Sequence, residues 1–472
     1  MHFIVKICIT WIFFTMFGHK LIINHIKVSA MKKSTRMMLL LLLTMGIYGN
    51  TTAQQEKGIV GVDNWLNNWT QFRPNQEYYG EPTQILTGSI SKDTRLSKRY
   101  IYLLVGSVFV VNNATLTIDP GTVIIGDSKT KGSLTITKGA KIIADGLETD
   151  PIVFTSGKSV KRAGDWGGVT ILGDAPTNKF GNGSIAAFHE QLDASNYGNT
   201  NYGGENIESD SGIFRYVRIE YAGKRTKEAG YFDGLLLAGV GNKTKVSNVM
   251  VSYAAGDSFK VLGGTFNLEQ AVSYKSNGND FKFNYGAQCG LINSLAVRSP
   301  YISSTEGSRC VQVISYEQQG EVDLSKKGST VTATNLTLLN DSEDLASDIK
   351  MGLVREGVYV GHNSSLDMKK TVVSGFNPAV IFENKITINQ ENLEKIQFSE
   401  MYFNNCNGNI FVENNSNNDD LENWYGNSAF FNVYSKGPNA ETFIDLNNER
   451  RPDFRLKINK IIATNNDQAL DD

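Results

Sequence analysis

The sequence predicts an all-β protein, a right-handed parallel β-helix (solenoid) closed by an N-terminal and a C-terminal cap. Three observations lead there. From residue 100 onward, runs of three to five β-branched or aliphatic residues alternate with turns built on Gly, Asn or Asp, as in YIYLLVG, GSVFVVNNATLTIDPGTVIIGD and GSLTITKGAKIIADG. None of these stretches carries a 3.6-residue apolar period long enough for a helix. Similar pieces also recur: FRYVRIEYAG, VSNVMVSYAAG and LEQAVSYKSNG place Tyr221, Tyr253 and Tyr274 alike, and GDSFKVLGG and GNDFKFNYG set Asp257 and Asp280 23 residues apart. Strands this short gain stability by pairing with their equivalents one coil on, so like residues should stack at ~4.8 Å into a Tyr ladder and a Phe ladder.

Composition agrees and excludes some functions. Among 472 residues, 45 Gly and only 9 Pro suit many tight turns, and a net charge of -2 is too weak to draw in nucleic acid or an anionic membrane. Residues 1–53 read as a signal region. Its true start is expected at Met31, with basic Lys32, Lys33 and Arg36, an apolar Met37 to Met45, and cleavage after Ala53. The run is too short to span a bilayer, although a membrane anchor is the alternative reading. The apolar run Ile7 to Phe17 is put down to an upstream start codon. An exported protein follows, in the periplasm, on the outer-membrane surface or outside the cell, with no transmembrane segment after cleavage.

Residues 54–99 are expected to cap the stack, because Trp65, Trp69 and Phe72 crowd a segment without strand alternation. The helix itself should run over 100–415. Polar residues 174–212 read as a loop inserted into one coil, either a binding element or an ornament. A second cap and a polar tail should occupy 416–472. Cys289, Cys310 and Cys406 do not make a disulfide framework. Cys289 and Cys310, 21 residues apart, are expected to stack in adjacent coils, bonded or not. Past residue 53 only His189 and His362 remain, too few for a His-rich or Cys and His zinc site. No metal site and no cofactor is expected; calcium has no support in the sequence.

The stretches ATLTIDPGTVIIG, GDWGGVTILGDAPTN, SGIFRYVRIEYAG and NDFKFNYG, in this order, resemble a family of exported β-helix proteins common in Bacteroidota. The resemblance runs from about residue 65 to about 300. It implies the β-helix fold, an envelope location, association with outer-membrane receptors or type IX secretion, and no established catalytic role. Two departures stand out. Lys260 and Lys282 replace residues that are often acidic in that family, so any cation or sugar site built on those acids is altered here. No type IX sorting domain is recognised after the caps.

Several residues are candidates for chemistry. Trp166, in Asp165-Trp166-Gly167-Gly168, offers a flat ring either for a sugar or for covering the core. Tyr221, Tyr253 and Tyr274 form either an exposed stripe or an internal ladder. Arg218, Glu220, Asp257, Lys260, Asp280 and Lys282 alternate with aliphatics and so point outward. They read as a lyase's base and charge-stabilising groups or as a solvated face of ion pairs, with Asp257 and Asp280 also suited to holding turns. The paired Asp residues of a pectinase-like hydrolase are absent, although Gly361-His362 and Arg455-Leu456-Lys457 look superficially like two of its elements. The leading expectation is a non-catalytic protein that binds a glycan or an envelope protein such as an outer-membrane receptor. A carbohydrate-active enzyme, lyase before hydrolase, and a structural stalk are the alternatives.

Overall fold

The computed structural model describes residues 57–190, 192–303 and 308–457; the expected signal region at 1–53 and the expected polar tail at the C-terminus lie outside them. Three parallel sheets wind around one apolar bore to give the right-handed parallel β-helix that the turn spacing predicts. In the third sheet a single inward column runs Leu96, Ile118, Ala144, Phe214, Val246, Leu268, Leu291, Ala333, Met368 and Phe398, each in register with the next. The second sheet stacks Leu235, Phe259, Phe281, Val311, Val358, Val380 and Ile410 in the same way. The strand Gln84–Ile90 opens both the first sheet, with residues 84–87, and the second, with Ser89 and Ile90, and the first sheet ends with Val433–Ser435. Phe259 lies over Phe281 with ring centroids 5.1 Å apart, so the Phe ladder forms as expected.

The corner between the third and first sheets shows how the sequence sets the winding. Tyr216, Asn248, Gln270, Asn293, Asn335, Lys370 and Glu400, one per rung, all adopt left-handed backbone with φ between 47° and 58°. Three of the seven are Asn, which tolerates this region better than most residues, and their side chains reach the next rung or the strap: Asn248 donates to Gln270, Asn293 to the Val60 carbonyl and Asn335 to the Gly58 carbonyl.

The aromatic segment expected as an N-terminal plug lies elsewhere. From Lys57 it runs down the flank as a strap over the first sheet. Gly58 N donates to the Lys370 carbonyl, Val60 exchanges hydrogen bonds with Asn293, and Trp69 meets Tyr216 edge-on at 6.0 Å. The physical reason is a second apolar surface: the outward column Met250, Val272, Leu295, Val372 and Tyr402 is buried only because Ile59, Leu66, Trp69 and Phe72 cover it. Phe443, Phe454 and Leu456 of the C-terminal segment join the same cluster. Bore closure falls to the helix Asp419–Tyr425, whose Leu421 and Tyr425 pack into the main core, with Tyr425 edge-on to Phe398 at 5.4 Å.

Cys289 and Cys310 do not share a stack. Cys289 pairs with Phe266 in the third sheet, whereas Cys310 precedes Val311 of the second; both are buried and free. No helix among the described residues is long and apolar enough to cross a membrane.

Candidate functional site

The residues singled out in the sequence separate into distinct places. Trp166 is 0% exposed, stacks on Phe154 and donates its Nε1–H to the Glu220 carbonyl at 2.8 Å, so it covers the core and offers no ring to a sugar. Tyr221 and Tyr253 stack at 5.5 Å, and Tyr253 meets Tyr274 edge-on at 5.7 Å. Tyr274 is in turn covered by Phe72 of the strap at 5.0 Å, so no exposed stripe exists there.

Arg218 and Glu220 lie beneath the strap. The Tyr79 hydroxyl donates to Glu220 Oε1 at 2.9 Å, Thr155 donates to Oε2 at 2.8 Å, and Arg218 Nη2 donates to the Tyr79 hydroxyl at 3.1 Å. Burial pushes the Glu220 carboxyl up, against the pull of Arg218. This network ties the strap to the coil. Asp280 is also fully buried: it takes bonds from Ser273 and from Arg298 Nη1 at 3.0 Å, and is one half of an internal ion pair in place of the expected turn support.

Asp257, Lys260 and Lys282 come together on the outer face of the second sheet. Lys260 Nζ lies 3.5 Å from Asp233 Oδ2 and 3.6 Å from Asp257 Oδ2. Asp257 Oδ1 accepts from the Asn279 backbone at 2.7 Å, which is the turn role expected of it, and Asn279 donates on to Gln312 at 3.1 Å. The two acids differ in character. Burial pushes Asp233 up to about 6 despite Lys260. Burial acts in the same direction on Asp257, but Lys260, Lys282 and Asn279 outweigh it and hold that carboxyl below its usual value. Asp233, Asn279 and Gln312 were not singled out in the sequence.

Two long loops wall one side of this face. The insertion at 174–212 packs Ile185 and Tyr202 on the outward Leu236, Ala238 and Leu262, and Val322 joins them from the loop after Ser315. The loops are stitched together by Lys179 and Glu321 at 3.2 Å and by Asn178, whose side chain donates to the Ser315 carbonyl at 2.9 Å. His189 anchors the insertion to the early rungs: it lies between Phe109 and Phe232, its Nδ1 is 2.8 Å from Ser107 Oγ, and burial pushes it down to about 4.

Beyond the loops the face opens. Its outward column runs from Lys282 and Gln312, both still buried, to Tyr359, Ile381 and Phe411, in register. Tyr359, Ile381 and Phe411 are half-buried. Lys282 pairs with Glu317 at 2.7 Å, and the Arg309 guanidinium, held by Glu356 at 2.6 Å, sits 4.5 Å from the Tyr359 ring centroid. Two aromatic faces two rungs apart, set among amide and charged groups, form a surface suited to a polar chain with apolar ring faces. The signal for them was present in VYV and IFV, where an aromatic alternates with inward aliphatics. No group of three or more His, Cys, Asp or Glu suited to a metal occurs among the described residues.

A family model described as a pectate-lyase-like beta helix domain matches residues 88–440. No curated protein and no solved structure matches the chain.

Proposed function

Because the chain belongs to the pectate-lyase-like beta helix domain family, we propose that it is an exported, non-catalytic glycan-binding β-helix whose binding surface is the open part of the second sheet, from Tyr359 to Phe411. The observation that carries the reading is the outward column Lys282, Gln312, Tyr359, Ile381 and Phe411, one side chain per rung at ~4.8 Å. That spacing is on the order of one sugar unit. Tyr359 and Phe411 would each lie against a pyranose face, while Glu317, held by Lys282, and Arg309 with Glu356 would take hydroxyls or a carboxylate. The carboxylates deeper in the groove are held by Lys260 and Asn279, which supports binding over turnover.

A second reading rests on Asp233 and Asp257. Two neighbouring carboxyls with opposite shifts, one near 6 and one low, resemble an acid and base pair. Screening residues 54–472 on a glycan array, with assays for chain cleavage on each polysaccharide retained, separates the two. Retention without cleavage supports the binding protein. Cleavage abolished by Asp233→Asn establishes the enzyme instead, and retention by no glycan contradicts both.

A further inference from the structure

The two ends of the coil differ in charge and closure, and we infer that one copy of this chain docks its N-terminal end on the C-terminal end of another. The first sheet is open at both extremities. Its first strand, Gln84–Ile90, pairs only with the strand Ile101–Val110, and its last, Val433–Ser435, only with Tyr402–Asn404, among the described residues. The second and third sheets stop earlier, at Ile410–Val412 and Ile396–Ser399, under the helix Asp419–Tyr425. At the first coil all three sheets have a free edge, since Ser89 and Ile90 belong to the second sheet and Thr94–Leu96 to the third; the first sheet is the one with an uncovered edge at both ends among the described residues, and a second copy placed head-to-tail continues its parallel ladder. An edge strand presents unpaired backbone groups that template such an addition.

Charge selects this partner and this polarity. The first coil ends in SKDTRLSKRY, where Lys92 and Arg99 are exposed and make no ion pair among the described residues, and where Arg95 and Lys98 are answered only by Asp119 and Asp150 of following coils. At the other end no Lys or Arg occurs from residue 396 to residue 435, and the closing helix with its approach carries Glu413, Asp419, Asp420 and Glu422, none in an ion pair among the described residues. Two N-terminal ends meeting would oppose like charges; an N-terminal end on a C-terminal end opposes unlike ones. Each end also shows exposed apolar side chains next to the free edge, Ile85 and Tyr100 at the first, Phe431 and Tyr434 at the last. Because the contact joins different surfaces and does not close on itself, it produces chains of copies.

The test is sedimentation velocity on the mature protein, residues 54–472, over a concentration series in about 0.02 M and about 0.5 M salt, since surface charge attraction is screened at the higher value. Association that rises with concentration at low salt and falls at least tenfold in affinity at high salt is expected. Two reversal variants extend it. Lys92→Glu with Arg99→Glu, and separately Asp419→Lys with Asp420→Lys, each stay monomeric alone, while an equimolar mixture regains association because unlike ends are restored. All four positions are exposed, so a circular dichroism melt verifies that the fold is intact. A monomer at every concentration in low salt overturns the inference, as does association that survives either reversal unchanged.

Discussion

At the residue scale, burial decides what each charged or aromatic side chain can do. Arg298 and Asp280 neutralise one another inside the turns beside the second sheet, with side chains 3% and 0% exposed. Arg298→Ala strands a buried carboxylate, and chemical denaturation should show a loss of about 3–5 kcal/mol, partly recovered in Arg298→Ala with Asp280→Asn. His189 gives a pH dependence of definite sign. Its folded pKa is near 4 against an ordinary 6.5, so the unfolded or undocked state binds the proton first. The contribution of its docking is complete above about pH 6.5 and declines as pH falls toward about 4, by roughly 2 kcal/mol between pH 7 and pH 5. Protection factors for hydrogen exchange in 174–212, taken relative to the intrinsic exchange rate at each pH, should therefore fall on acidification, and His189→Gln should flatten that response. Alternation in the sequence turned Arg218 and Glu220 outward from the coil and left Tyr274 open between an exposed stripe and an internal ladder. It carried no information that Tyr79 and Phe72, more than 130 residues earlier, return to cover them.

At the element scale, the strap and the insertion were the parts least legible in advance. The coils repeat, so one rung predicts the next and the Phe ladder follows from spacing alone. The strap occurs once and pairs with partners spread over six rungs, from Lys370 back to Tyr216, leaving no period to detect. Its aromatic content announced a covering role but not which surface it covers. Trp69→Ala should remove the largest anchor of the flank and cost roughly 3–5 kcal/mol. It should also expose Met250 and Val272, visible as a rise in binding of a hydrophobic dye before the main unfolding transition. A Trp69→Ala protein with unaltered melting would show that the flank cluster contributes little.

At the scale of the whole molecule, repetition turns a linear sequence into aligned columns, and the outward columns are where function can reside. On the first and second sheets much outward surface is spent on contacts: the strap covers the first sheet and the insertion the early second sheet, whereas outward residues of the third sheet such as Thr330 and Thr332 stay exposed. What stays accessible on the second sheet is the run that includes Tyr359, Ile381 and Phe411, beyond the reach of either cover. The family match accounts for the coil and not for these positions, which come from the pattern of covered and uncovered faces. The most direct measurement is calorimetric titration of a polysaccharide retained on the array into the wild-type protein, Tyr359→Ala, Phe411→Ala and the double variant, with melting temperatures recorded alongside. The account predicts that each single change weakens binding roughly tenfold, about 1.4 kcal/mol, that the double change weakens it further, and that melting shifts little. Unchanged affinity in the double variant would place the glycan elsewhere and contradict the account.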